Sequence, residues 1–147
     1  MTNMKRFLSY AAAFEQTYVD DDWRRLEPYF TEDAVYRVTG VPSSCELHGR
    51  DAIFRGMRKS LDGFDRKCAV REIVPTAPPT EQEGRVTLSG LVRYRRSAET
   101  PPVELHATIV VEFEGERICR MHDTFTLDPA AYEWLKLHGA GLDGSYA

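Results

Sequence analysis

In the stretch ICRMHDTFTL (118–127), every second residue from Cys119 to Leu127 is apolar except for one carboxylate, Asp123. Side chains alternate between the two faces of a β-strand, so Cys119, Met121, Asp123, Phe125 and Leu127 are expected to share one face. A carboxylate on such a face either lines a cavity or is buried at a considerable cost in free energy. The stretch therefore predicts a long strand whose inner face carries a functional or an ion-paired aspartate.

The bulk properties of the 147-residue chain predict a single domain, residues 1–147, with room for a modest pocket. The chain has 19 Lys and Arg, 23 Asp and Glu, and a net charge near −4, and no basic run is interleaved with aromatic residues. These features disfavour a nucleic-acid partner or an anionic membrane. Three cysteines without a CxxC pair and a first segment unlike a signal peptide or membrane span predict a cytoplasmic protein.

The hydrophobic spacing of the first part of the chain is mainly helical. It predicts a helix over 7–18, a shorter helix carrying Trp23, Leu26 and Phe30, a strand over 34–38, a loop that includes His48, and a helix over 53–61. Pro28 inside the second helix indicates that this helix is brief or kinked.

The spacing changes to that of strands after Lys67. Four β-rich segments follow, at 67–76, 85–96, 103–114 and 117–127, separated by Pro-rich or Gly-containing turns. Asp128 and Pro129 then cap a closing helix that ends at Gly139. The predicted fold is α+β: a cone-shaped, curved antiparallel sheet with helices on its concave face and a ligand site at its mouth.

This order of elements, with PYFTEDAVY (28–36), HGRDAI (48–53) and ICRMHDTF (118–125), resembles the nuclear transport factor 2-like superfamily. It is most similar to the SnoaL-like polyketide cyclases, the ketosteroid isomerases and the limonene-epoxide hydrolases, over almost the whole chain. Because this fold hosts isomerases, hydrolases, cyclases, dehydratases and non-enzymes, the resemblance alone does not define a reaction.

The resemblance transfers only some functional residues. The isomerases place a tyrosine where this chain has Phe14 and a proton-shuttling aspartate where it has Val38, which removes that mechanism. The epoxide hydrolases match at Tyr36 and Asp123, but Val38 replaces their asparagine, and Arg93 supplies an arginine without the accompanying acid. The SnoaL-like cyclases match at Asp123, the position of their acid/base aspartate.

Asp123 and Tyr36 are accordingly the predicted catalytic residues. Burial is expected to raise the pKa of Asp123 toward neutrality, although an ion pair with Arg93 or Arg95 would produce the same sequence pattern. Tyr36 shares a strand face with Ala34 and Val38 and either bonds a substrate oxygen or is a core tyrosine. The predicted substrate-binding residues are Phe14, Tyr18, Val38, Met57, Arg93, Met121 and Phe125.

The histidines and cysteines predict no metal site, and no cofactor is expected. The four histidines lack an HxH or HExxH relation. His122 is adjacent to Asp123 in a strand and should point to the opposite face, as should His106. That outer face, with Thr108 and Val110, is the predicted surface of a homodimer.

Two functions of different classes follow. The first is a cofactor-independent enzyme that moves a proton on a small apolar or polycyclic carbonyl compound, as a cyclase, isomerase or dehydratase does. The second is a non-catalytic module of the same fold that binds small molecules or dimerises, with Asp123 in an ion pair. An epoxide hydrolase-like activity is a further alternative.

Overall fold

The computed structural model describes residues 2–147, which form three α-helices and seven β-strands. The helices are α1 (Asn3–Asp20), α2 (Arg50–Gly63) and α3 (Pro129–His138). The strands are β1 (Phe30–Thr39), β2 (Cys45–His48), β3 (Val70–Pro75), β4 (Thr80–Gln82), β5 (Arg85–Arg95), β6 (Val103–Glu114) and β7 (Arg117–Thr126). The mixed α+β architecture predicted from the sequence is confirmed.

All seven strands belong to one curved, unclosed sheet with the order β2-β1-β7-β6-β5-β3, and β4 pairs with β5. The neighbours are antiparallel except for β1 and β7, which run parallel. A parallel pair needs a long connection, and here α2 and strands β2 to β6 supply it. This pairing sets Tyr36 beside Met121 and Val38 beside Asp123.

The main core lies between the sheet and the first two helices. Phe7 and Tyr10 on α1 and Ile53 and Met57 on α2 are buried in one cluster with the inner side chains of β1, β5, β6 and β7. Met57 and Met121 are buried in this cluster, while Phe14, Trp23 and Phe125 are partly buried against it.

The helix predicted around Trp23 is instead a 3-10 helix, Trp23–Tyr29, and Phe30 begins β1. Pro28 lacks a backbone N–H and cannot extend an α-helix, so the chain passes directly into the strand. The predicted loop around His48 contains the short strand β2, and the Pro-rich turn after β3 contains β4.

At the start of β7, the residues that face the core do not follow the simple alternation expected from the sequence. Glu112 pairs with Arg120 and Phe113 with Ile118, so a bulge removes Cys119 from the register. Ile118 is therefore buried and Cys119 is only partly buried. Beyond the bulge the predicted face is restored at Met121 and Asp123, both of which are buried.

The closing helix is confirmed as α3. The Asp128 carboxylate accepts a hydrogen bond from the Ala131 amide at 2.8 Å, and Pro129 occupies the first turn. Trp134 packs with Tyr94, Val103 and Leu105 in a second, smaller core. No helix within residues 2–147 is long and apolar enough to cross a membrane.

Candidate functional site

A cavity of about 270 Å³ lies between the inner face of the sheet and helices α1 and α2. Its lining is mostly apolar and includes four of the predicted substrate-binding residues, namely Phe14, Met57, Met121 and Phe125. Polar side chains contribute little of the lining surface, and most of them gather around two carboxyls, Asp123 and Asp65. A largely apolar cavity with a small number of polar groups is typical of a small-molecule site.

Asp123 and Tyr36 form the first polar group. The Tyr36 hydroxyl donates a hydrogen bond of 2.5 Å to Oδ2 of Asp123. The other carboxyl oxygen, Oδ1, is buried and has no hydrogen-bond partner among residues 2–147. The parallel register of β1 and β7 places the two residues diagonally across one sheet face, within reach of the long phenol side chain.

Burial dominates the electrostatics of Asp123. Loss of hydration raises the pKa of this carboxyl to about 7, although the hydrogen bond from Tyr36 opposes the rise. Within the described residues no ion pair involves Asp123: Arg93 is paired with Glu104 and Glu72, and Arg95 donates to the Thr100 carbonyl. A carboxyl in this state can both take and give a proton near neutral pH.

Tyr146 is the third polar side chain near Asp123. Its ring stands edge-on to that of Tyr36, with centroids 5.5 Å apart. Burial raises its pKa, and the negative charge of Asp123 raises it further, so the phenol stays protonated. Three protonatable groups, the carboxyl of Asp123 and the phenols of Tyr36 and Tyr146, therefore meet at one end of the cavity.

Asp65 forms the second polar group together with Arg71 and Tyr94. The Arg71 guanidinium donates from Nε to Asp65 Oδ2 at 2.7 Å, and the Tyr94 hydroxyl donates to the same oxygen at 3.0 Å. Arg71 also forms an ion pair of 2.7 Å with Glu15 on α1. Burial raises the pKa of Asp65, but Arg71 counteracts this effect.

Three predicted substrate-binding residues do not line this cavity, and their assignment is corrected. Tyr18 lies behind Arg71, whose guanidinium sits 4.4 Å from the centre of its ring. Val38 is fully buried in the core beside Asp123. Arg93 is on the sheet face that carries Glu104 and Glu72, because alternation along β5 turns it away from the side that Tyr94 occupies.

The two histidines of β6 and β7 lie away from the polar groups of the cavity. His122 Nε2 lies 2.8 Å from the Thr39 hydroxyl and is directed away from the Tyr36 and Asp123 pair. His106 is exposed. Among residues 2–147, no group of three or more His, Cys, Asp or Glu side chains is arranged to hold a metal ion.

Sequence reasoning missed Asp65 and Tyr146. The sequence does contain a signal for Asp65. It continues the helical pattern of Met57 and Leu61 at four-residue spacing, so it is a carboxylate at a position where an apolar residue is expected, as Asp123 is in its strand. Tyr146 left none. It lies in an irregular segment after α3, and only the tertiary fold brings it beside Tyr36.

Residues 10–121 match the family model of the SnoaL-like domain. The chain belongs to the SnoaL-like family. This match includes Tyr36 and ends two residues before Asp123. No curated protein is similar enough in sequence to be matched to this SnoaL-like chain.

Solved structures of low sequence identity share the fold of this SnoaL-like chain. One is an NTF2-like protein of unknown function from Burkholderia pseudomallei, with 18% identity, a TM-score of 0.69, and coverage of 95% of this chain and 99% of that chain. Another is TerC co-crystallized with polyporic acid, at 18% identity, TM-score 0.63, and 89% and 95% coverage. A third is a hypothetical protein with a ketosteroid isomerase-like fold from Catenulispora acidiphila in complex with trimethylamine, at 16% identity, TM-score 0.61, and 92% and 94% coverage.

Proposed function

We propose that this chain is a cofactor-independent enzyme that transfers a proton on a small, largely apolar carbonyl compound. The observation that carries the proposal is the state of Asp123. Its carboxyl lines an apolar cavity, has a pKa of about 7, and is bonded through Oδ2 alone to Tyr36. Cyclisation, isomerisation and dehydration each need such a group to take a proton at one step and return it at another.

The roles of the two residues follow from their geometry. The Tyr36 hydroxyl holds Oδ2, which leaves Oδ1 as the oxygen that exchanges the proton. An ionised Asp123 would take a proton from the carbon beside a carbonyl group, and the electron pair of the broken C–H bond would pass to the carbonyl oxygen. Tyr36 would orient the carboxyl and lie beside that oxygen. The proton would then return from Asp123 to carbon or oxygen.

The ligand class is inferred from the lining. A bicyclic or polycyclic ketone offers one oxygen for the Asp123 end and an apolar body for Phe14, Met57, Met121 and Phe125. Polyporic acid in TerC and trimethylamine in the Catenulispora acidiphila protein are small organic molecules bound by proteins of this fold. This supports a small-molecule ligand and leaves its identity to experiment.

The alternatives differ in what they require of Asp123. A non-catalytic module in which Asp123 is ion-paired lacks its cation, because neither Arg93 nor Arg95 approaches that carboxyl. The epoxide hydrolase-like alternative needs an acid two positions from the arginine of the later strand, and this chain has Arg95 there instead. Small-molecule binding without catalysis is the remaining alternative, and the experiment below separates it from the enzyme.

The experiment measures hydrogen–deuterium exchange beside the carbonyl of 2-tetralone, followed by NMR in deuterated water. We expect the wild type to accelerate exchange and Asp123→Asn to lose about 100- to 10,000-fold of that acceleration, because asparagine cannot exchange a proton. The matched control is Asp33→Asn, which changes an exposed aspartate on β1. Equal exchange by the wild type and Asp123→Asn, with both bound to 2-tetralone, would leave binding alone as the function.

We also propose that the chain forms a homodimer through the outer sheet face that carries His106, Thr108, Val110 and His122. The helices cover the inner face, and this mixed polar and apolar face suits an association surface. Light scattering at micromolar concentration should give twice the mass of the chain. A monomer at that concentration would contradict the dimer without affecting the proton-transfer proposal.

A further inference from the structure

A second cavity, of about 340 Å³, lies on the other side of Tyr146 from the Asp123 site. Its apolar lining comes from the end of α2, from α3 and from the outer ends of the strands: Val41, Phe64, Leu105, Leu127, Leu135 and Leu142. The two cavities share Tyr146 and four neighbours, Ser60, Asp65, Tyr94 and Phe125. Tyr146 and these neighbours therefore form the partition between two apolar spaces.

The segment after α3, residues 139–147, holds Tyr146 in this partition. The segment lies along one face of α2, formed by Gly56, Ser60 and Gly63. A methyl group on Gly56 would come within 2.6 Å of the Tyr146 carbonyl oxygen, so the close approach requires glycine there. The Ser60 hydroxyl donates to the Gly144 carbonyl at 2.8 Å, and the Asp143 amide donates to Gly63 at 2.9 Å.

Segment 139–147 is fixed to α2 by hydrogen bonds and close backbone contacts at Gly56, Ser60 and Gly63. These two hydrogen bonds do not involve the Tyr146 side chain, which is partly buried against the core and interacts through its hydroxyl with Tyr36 and Ser60. Rotation of this side chain would break its hydroxyl interactions and open the boundary between the two cavities at Tyr146, while the two backbone contacts with α2 are kept. The joined space would lie within the range of volumes typical of small-molecule sites, whereas the Asp123 cavity alone, at about 270 Å³, lies just below that range.

We propose that the cavity beyond Tyr146 is the second half of one binding site, and that Tyr146 sets how far a ligand anchored at Asp123 extends into it. The ligand class is an elongated aromatic or alicyclic molecule with one oxygen at the Asp123 end and an apolar body that passes Tyr146. This inference rests on the proposed function in one respect, because it takes Asp123 as the polar end of the site.

The test compares two phenols of different length, 2-naphthol and p-terphenyl-4-ol, whose dissociation constants are measured by fluorescence titration. The variants are Tyr146→Ala, which opens the partition, and Tyr146→Phe, which keeps the ring. Tyr132→Ala is the matched control, since Tyr132 is exposed on α3. We expect Tyr146→Ala to improve the affinity for the terphenyl relative to the naphthol by about tenfold or more. Tyr146→Phe and Tyr132→Ala should keep the wild-type ratio.

A second variant keeps the inference testable if Tyr146→Ala fails to fold. Leu142→Trp fills the second cavity from its far side and should weaken terphenyl binding about tenfold while naphthol binding is unchanged. An affinity ratio in Tyr146→Ala equal to that in Tyr132→Ala would overturn the inference. So would terphenyl binding unaffected by Leu142→Trp, or failure of both probes to bind the wild type. If the affinity ratio changes as expected but the wild type does not accelerate 2-tetralone exchange, the proposed function is rejected while the inference of one binding site divided by Tyr146 stands.

Discussion

Two buried aspartates line the same cavity, and each accepts a hydrogen bond from a tyrosine, yet their surroundings differ. Asp65 also accepts from Arg71, which in turn pairs with Glu15, so its charge is balanced by a neighbouring cation. Among the described residues, Asp123 accepts a hydrogen bond from Tyr36 alone and has no neighbouring cation. A buried carboxylate with a cation ties elements of the fold together, whereas one without a cation is left able to change its protonation state.

The difference also explains which carboxyl is suited to catalysis. Burial raises the pKa of both groups, but only at Asp65 does an arginine favour the charged form. Environments that push two carboxyl pKa values apart commonly separate a proton-transfer group from a charge-balanced one. Asp123 is the candidate for proton transfer, and Asp65 joins the end of α2 to β3 and β5.

The largest effect on stability should come from the pH dependence of Asp123. Its pKa of about 7 in the folded protein lies above that of an unfolded aspartate, near 3.9, so the folded state binds the proton more tightly. The stabilisation by this proton is fully present below pH ~4 and is lost as the pH rises to ~7 and beyond. The loss amounts to roughly 4 kcal/mol, at about 1.4 kcal/mol per pKa unit.

Urea unfolding of the wild type and of Asp123→Asn at several pH values between ~4 and ~8 isolates this contribution. We expect the wild type to lose stability relative to the variant over that range, since asparagine does not titrate. A difference that stays constant with pH would show that Asp123 has the same pKa in the folded and unfolded chain, and the contrast with Asp65 would disappear.

Asp65→Asn should affect stability directly. The substitution removes the carboxylate partner of a buried arginine, and we expect a loss of about 3 kcal/mol, the lower end for a broken buried pair, because Arg71 keeps Glu15. Urea unfolding at neutral pH measures it. The matched control is Asp62→Asn, whose ion pairs with Arg58 and Arg66 are more exposed and should contribute about 1 kcal/mol or less. Equal losses of stability in the two variants would show that the ion pair of Asp65 and Arg71 does not stabilise the junction of α2 with β3 and β5.

These expectations depend on features that the sequence reveals unequally. Helices α1, α2 and α3 and the meander of β5, β6 and β7 follow from local periodicity and caps, so the sequence predicts them. The parallel pairing of β1 and β7 joins residues about 85 positions apart, such as Tyr36 and Met121, and depends on the whole fold. The bulge at Cys119 likewise depends on how β6 pairs with β7.

The candidate site shows the same division. Tyr36 and Asp123 stand out because each occupies an inward position of a strand, and alternation places both on one face. The family resemblance predicts Arg93 in the pocket, but alternation along β5 turns this side chain to the opposite face of the sheet. Tyr146 depends on the path of an irregular segment across α2, which no periodicity encodes.

The smallest expected effect is that of Tyr36→Phe. The variant removes the hydroxyl that lowers the pKa of Asp123, so that pKa should rise further and the pH midpoint of 2-tetralone exchange should move upward with it. Stability should fall by about 1 to 3 kcal/mol, because a buried carboxyl loses its partner. A pH–rate profile and urea unfolding test the two parts. An unchanged pH midpoint would mean that Tyr36 does not interact with the group that titrates.

Titration of the Asp123 carboxyl itself shows whether this group exchanges a proton near neutral pH. Carbon-13 NMR of the aspartate side-chain carboxyls, followed from pH ~3 to ~9, identifies the Asp123 signal by its absence in Asp123→Asn. We expect a midpoint at about pH 7, shifted upward in Tyr36→Phe. A midpoint at or below ~4, the value of an ordinary aspartate, would contradict it.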